Sequence, residues 1–300
     1  MKYFVIPVLS LLGFSCAQSE TPKSDQLQGD MAQSSNTEIL EEMPEADTED
    51  AEWSVIFEDY FQGESRIPDE NKWVLCKRGH DSWNRYLSES YDQAYQQDGI
   101  LYLVAERKDA EYLTGGIETL GKFDFQYGKV ECRARFARTP QGNHTGIWMM
   151  PAPPAEQWPK SGEIDIMEHL GDSDIIYETV HSWYLDDLNK EEESEGRAKV
   201  ELEDKGGWNI YGLIWTPESI SFTVNGEVRF TYDNANLEGE DGMYQWPFDH
   251  PFYLILSQSL GGEGTWAGPI DNDELPAIFE IDWIRVLQKD EGAGVPQVRL

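Results

Sequence analysis

The stretch WPKSGEIDIMEHLG, residues 158–171, sets strand geometry against the cost of burying charge. Side chains alternate faces along a strand, so Glu163 and Asp165 share one face and Ile164 and Ile166 the other. Continued strictly, the alternation puts Met167 among the acids and Glu168 among the isoleucines. An ionised glutamate in an apolar interior is costly. One extra residue, a β-bulge at Ile166–Met167, returns Glu168 to the face of Glu163 and Asp165. The stretch therefore reads as a bulged strand, apolar on one side, with three acids in a row on the other. Crowded on a half-buried face, such carboxylates repel, and at least one keeps its proton near neutral pH.

The segments around it are strand-like as well. GILYLVAER (99–107) alternates, with Leu101, Leu103 and Ala105 on one side. YGKVECRARF (127–136) sets Val130, Cys132, Ala134 and Phe136 against Glu131, Arg133 and Arg135. Residues 208–232 read as strands joined by turns, and the VNGEV within them is an Asn-Gly hairpin signal. PFYLILSQSL (251–260) reads as a buried strand, and IFEIDWIRVLQ (278–288) alternates again. No long helical period, internal repeat or Gly-rich phosphate loop interrupts them. Many short strands with turns between them predict an all-β fold, a β-sandwich of jelly-roll type. The acidic insertion 185–207 is expected to be a surface loop holding one short strand, AKVEL. Residues 53–289 form the predicted domain, and 290–300 a tail.

A net charge of -34 argues against binding nucleic acid or an anionic membrane surface, both of which need a positive patch. A neutral partner fits better, and the 11 Trp could supply surfaces on which sugars stack. The N-terminus, MKYFVIPVLSLLGFSC (1–16), has one Lys before an apolar run too short to span a bilayer, as an export signal does. Its end at Ser15–Cys16 resembles a bacterial lipoprotein signal, with Cys16 acylated; ordinary secretion is the alternative. Residues 17–52 carry many acids against Lys23 alone, as expected of a disordered tether. The expected location is the outer membrane, at the cell surface or on its periplasmic side, with the lipid anchor as the only membrane contact. Cys76 and Cys132 are expected to be buried free thiols, with a disulfide as the alternative.

Closely spaced acids with opposed protonation suit a retaining glycosidase. One carboxylate attacks the anomeric carbon, and a protonated one about 5 Å away serves the leaving oxygen. A calcium site or a solvated acidic strand is the plainer alternative. At this point a resemblance enters. SGEIDIMEHLG resembles the active-site strand of glycoside hydrolase family 16 in its bulged form, E-x-D-x-x-E. GKFDFQYGKVECRARF, GIWMMP, YGLIWTPESISFTVNGEV, WPFDHPFYLILSQSLGG and EIDWIRVLQ are similar to other segments of that family, in the same order. The resemblance implies a concanavalin A-like jelly roll of two curved antiparallel sheets with an open cleft. It implies retaining, endo-acting hydrolysis of a β-linked polysaccharide with no cofactor required. Glu163 would be the nucleophile, Glu168 the acid/base, and Asp165 a hydrogen-bonding partner of the nucleophile.

The resemblance also nominates substrate-binding residues. These are Trp148, Trp158, His181, Trp266, Gln258 and Arg85, with His181 near the leaving-group side and in reach of substrate or Glu168. The bulged form resembles β-1,3-glucanases, agarases and carrageenases, whereas xyloglucan transglycosylases and lichenases use an unbulged E-x-D-x-E. The glucanases usually read G-x-W-P-A-x-W before WML, and GNHTGIWMM lacks that first Trp and Pro. A structural calcium, found in many members, would use Asp282, but Tyr60 stands where its glutamate ligand should be. The leading expectation is a monomeric endo-β-glycosidase on a β-1,3-glucan such as laminarin. The second is an endo-β-galactosidase on galactan or poly-lactosamine and mucin-type glycans. A non-catalytic glycan-binding surface lipoprotein is the alternative of another class.

Overall fold

A computed structural model describes residues 53–190 and 195–289. Cys16, the 17–52 segment and the 290–300 tail lie outside the described residues. In chain order the elements begin with β1 (Trp53–Asp59), β2 (Val74–Leu75), β3 (Ala94–Gln97), β4 (Ile100–Lys108), β5 (Glu111–Thr114) and β6 (Gly116–Glu118). The central strands are β7 (Gly128–Arg138), β8 (Asn143–Pro151), β9 (Glu163–Leu170) and β10 (Ile175–His181), followed by α1 (Trp183–Asp186). The rest are β11 (Arg197–Glu201), β12 (Asn209–Trp215), β13 (Ser219–Val224), β14 (Glu227–Asp233), α2 (Gly239–Gln245), β15 (Phe252–Leu260) and β16 (Ala277–Lys289).

The strands form two antiparallel sheets, the jelly roll expected. The larger runs β14-β13-β12-β7-β16-β4-β3, with β1 also on β16 and β5 on β4. The smaller runs β11-β10-β9-β8-β15-β6-β2, so the acidic strand β9 lies between β10 and β8. The core fills the space between the sheets. Val130, Cys132, Ala134 and Phe136 of β7 are buried there, as their alternation requires. Trp215 of β12 packs edge-on against Phe125 and Phe252, bridging the sheets, and donates its indole N–H to the Phe248 carbonyl. At about 25 cal/mol per Å2, burying one such aromatic contributes roughly 4–6 kcal/mol before entropy is counted.

On the outer side of the larger sheet, alternate residues of β7 and β16 form cross-strand ion pairs. Arg133 holds Asp282, Arg135 holds Glu280, and Lys129 and Arg285 both reach Glu131. The carboxylate considered for calcium is thus bound to a guanidinium. Among the described residues, no three His, Cys, Asp or Glu side chains converge as a metal site. Asn225 and Gly226 make the β13–β14 turn, both with positive φ as an Asn-Gly hairpin needs. Cys76 and Cys132 are buried and free. The acidic insertion contributes β11, which closes one edge of the smaller sheet.

The bulge lies where the sequence places it. Ile147 and Trp148 on β8 pair with Met167 and Asp165, skipping Ile166. On the other side, Tyr177 and Thr179 pair with Glu168 and Asp165, so Glu178 alone faces both Ile166 and Met167. Ile166 and Met167 are consecutive yet both buried in the core. Two apolar side chains are buried at full value, about 1.5–3 kcal/mol each, and the charge stays out, which outweighs one disrupted rung of the ladder. Glu178 is wholly buried, and burial pushes its carboxyl up to about 8 despite the Arg229 charge, so it stays neutral at pH 7.

Candidate active site

Strands β8, β9 and β10 build the site on the face of the smaller sheet turned away from the core. Their registers lay the acids out in rows. Glu168 stands between Gly146 and Tyr177, Asp165 between Trp148 and Thr179, and Glu163 beside His181. Gly146 is the residue the row at Glu168 requires: a Cβ there would sit 3.1 Å from the Trp148 ring. With glycine, the indole can lie along the floor.

Each acid has its own partner. The exposed Trp158 donates its indole N–H to Glu163 Oε2, and its ring stands 5.7 Å from that of His181. His181 presents Nε2 to Asp165 Oδ2 at 3.4 Å and Nδ1 to Asp186 Oδ1 at 2.9 Å. Asp186 comes within reach because α1 begins immediately after β10. Ser182 caps that short helix, and its own N–H also donates to Asp186. Glu168 is bonded through Oε1 to His144 Nε2, at 2.9 Å. Trp266 closes this end, edge-on to His144 at 5.6 Å and to Tyr177 at 4.8 Å.

The electrostatics follow from crowding. Burial and the neighbouring Asp165 hold Glu163 well above the usual carboxylate range, against the His181 charge and the Trp158 N–H. Burial and Glu168 raise Asp165 to about 6, again opposed by His181. Burial alone would lower His181, but its contacts with Asp165 and Asp186 prevail and keep it well above its ordinary value. The site is a cluster of acids sharing protons, with one imidazolium drawing the charge toward Asp165. Lowering the pH protonates Asp165, raised to about 6, and Glu163, held well above the usual carboxylate range, so kcat/KM is expected to fall toward acidic pH. Because the His181 cation keeps protons off both acids, His181→Ala should move this acidic limb to higher pH. A purely structural loss would lower the pH-rate profile without moving the limb.

Most of the nominated residues meet here. Glu163, Asp165, Glu168, Trp148, Trp158, His181 and Trp266 share the face. Trp148 is a nearly buried floor, its N–H used by Ser257 Oγ at 3.1 Å and its ring edge-on to Trp83. His181 engages Asp165 and Asp186, whereas His144 takes the place at Glu168. Gln258 is not brought to the site. On β15 its neighbour Ser257 takes the open face, and Gln258 turns inward to bond Asn143 and Thr145. Arg85 donates to the Gly261 carbonyl and lies over Tyr86, tethering the loop that leads to Trp266. His144, Tyr177 and Asp186 were not anticipated. Alternation through NHTGIW puts His144 on the face of Trp148, so its position was readable; the return of Asp186 through a single helical turn was not.

The chain is similar in sequence and in fold to known proteins. Residues 81–285 match the family described as glycosyl hydrolases family 16. A keratan-sulfate endo-1,4-beta-galactosidase of Sphingobacterium multivorum is 35% identical over 93% of this chain, which spans 66% of that relative's length. A beta-glucanase of Rhodothermus marinus is 31% identical over 78% of the chain and 85% of its own length. Among solved structures, one from work on endo-acting O-glycanases that initiate mucin breakdown in the human gut microbiota superposes with a TM-score of 0.71. It has 32% identity and covers 79% of this chain and all of its own. The laminarinase of Rhodothermus marinus gives 0.71 as well, at 29% identity over 80% of this chain and 98% of its own.

Proposed function

The chain belongs to glycosyl hydrolase family 16, and on that premise we propose that it is a retaining endo-β-glycosidase cutting β-galactosyl linkages inside a poly-lactosamine-type glycan. The observation that carries the chemistry is the bulged row of acids, each with a different partner. Glu163, ionised when substrate binds, attacks the anomeric carbon. The bond to the leaving oxygen breaks as Glu168 gives that oxygen its proton, leaving a glycosyl ester on Glu163. Glu168, now a base, takes a proton from water, which attacks the same carbon and frees Glu163 with the anomeric configuration retained. Trp158 and the Asp165–His181–Asp186 chain hold Glu163's surroundings so that its charge survives in a crowded site. Family members need no cofactor, and every step above uses side chains of one chain, so a monomer suffices.

For the sugar, support comes from the relative that acts on keratan sulfate and from the O-glycanase structure. It also comes from His144, which occupies a segment where the glucanase pattern carries Trp and Pro. The β-1,3-glucan reading is favoured by the beta-glucanase and laminarinase likenesses. Incubating purified protein with poly-lactosamine, laminarin, lichenan and agarose decides between them. Early release of oligosaccharides from poly-lactosamine is expected. Cleavage of laminarin alone would overturn the sugar, and cleavage of none would favour a binding protein. Export and a lipid anchor at Cys16 remain part of the proposal, supported by the N-terminal run. Cys16→Ser should move the protein from membrane to soluble fractions, and unchanged fractionation would dismiss the anchor.

A further inference from the structure

Beside the acids, the open face carries two cations that the mechanism does not use. Arg197 and Lys199 lie two apart on β11 and pair with Thr179 and Tyr177 of β10, whose side chains share the face of the acids. The rows therefore extend as Trp148–Asp165–Thr179–Arg197 and Gly146–Glu168–Tyr177–Lys199. Strands lie about 4.8 Å apart, so each cation's backbone is about 10 Å from the acid in its row. A sugar ring with its substituent covers such a span.

Lysines on an edge strand commonly serve only to block further pairing, and then reach into water. These two turn toward the aromatic wall instead. The Arg197 guanidinium lies 5.8 Å from the Trp266 ring centre, and its Nε donates to Thr179 Oγ1 at 3.3 Å. Lys199 Nζ lies 5.7 Å from the ring centre of Tyr177. Among the described residues neither has a carboxylate within 4 Å, Glu201 on the same strand face included. Tyr177 and Trp266, themselves in contact, thus form an apolar wall flanked by two cations that pair with no carboxylate among the described residues, next to the acid/base.

We propose that Arg197 and Lys199 form a subsite for a sulfate ester on the sugar bound against Tyr177 and Trp266. A guanidinium fork and an ammonium suit the three equivalent oxygens of a sulfate, and the aromatic wall suits the ring that carries it. The net charge of -34 does not oppose this. Eleven acids and one Lys in residues 17–52 account for ten of those charges, and salt screens charges beyond about 8 Å. The subsite rests on the poly-lactosamine reading above and adds the sulfated form as the preferred substrate.

The test compares kcat/KM on keratan sulfate and on the same polymer after chemical desulfation. Wild type is expected to prefer the sulfated form, and Arg197→Gln/Lys199→Gln to reduce the ratio about tenfold or more, mainly through KM. Arg197→Lys/Lys199→Arg, which keeps both charges, should restore most of the ratio, and added salt should lower it in wild type but not in the neutral double variant. A ratio unchanged by the double substitution, with both polymers cleaved, overturns the subsite alone. Cleavage of neither polymer by wild type overturns the poly-lactosamine reading and the subsite with it.

Discussion

Glu163→Gln is expected to fold normally and to lose at least about 10^4-fold in kcat, since it removes the atom that bonds to the sugar and not a contact to it. The amide keeps the shape of the carboxyl, and its oxygen can still accept the Trp158 N–H. It also deletes one of three mutually repelling acids, so the thermal midpoint should not fall. Substrate affinity should persist, because the walls formed by Trp158, Trp148 and Trp266 are untouched. The chemistry can be pinned further with Glu163→Ala and azide. A small anion entering where the carboxylate was would attack from that side and yield an α-glycosyl azide. Wild-type turnover in Glu163→Gln would remove the residue from the mechanism.

Glu168→Gln is expected to cost roughly 10^2–10^4-fold on the natural polymer, the range for losing a positioned acid/base. Its signature differs from that of Glu163→Gln in kind. A substrate whose aryl leaving group needs no proton should form the glycosyl ester at near wild-type rate and then stall, giving a burst. Azide should resolve the stalled ester as the β-glycosyl azide, because the nucleophile is still present. Equal losses on aryl and natural substrates would instead mean that Glu168 serves only to hold the fold or the sugar.

The fold and the centre of the site were legible in the sequence for a common reason. Strand alternation is a local rule, and burial enforces it strongly wherever one face meets the core. Val130, Cys132, Ala134 and Phe136 were readable in this way, and so was the bulge, because a charged Glu168 among isoleucines could not stand. Alternation fails as a guide where the segment's place in the sheet is unknown. Gln258 was taken for a cleft residue by resemblance, although a one-residue difference in facing gives that place to Ser257. His181 was expected within reach of substrate or Glu168, yet it engages Asp165 and Asp186 while His144 takes the place at Glu168; the Asp186 contact depends on α1, a tertiary event no strand pattern records. β11 was read as part of an acidic surface loop, and only the sheet order shows that its cations lie in line with the acids.

The direct test of the whole account is the configuration of the first product, followed by proton NMR during the opening minutes of hydrolysis. An acid row that includes a nucleophile within bonding reach of the anomeric carbon must deliver the β-anomer first, with the α-anomer growing in only as the sugar equilibrates in water. Initial appearance of the α-anomer would mean that water attacks directly, and Glu163 would not be the group that carries the sugar.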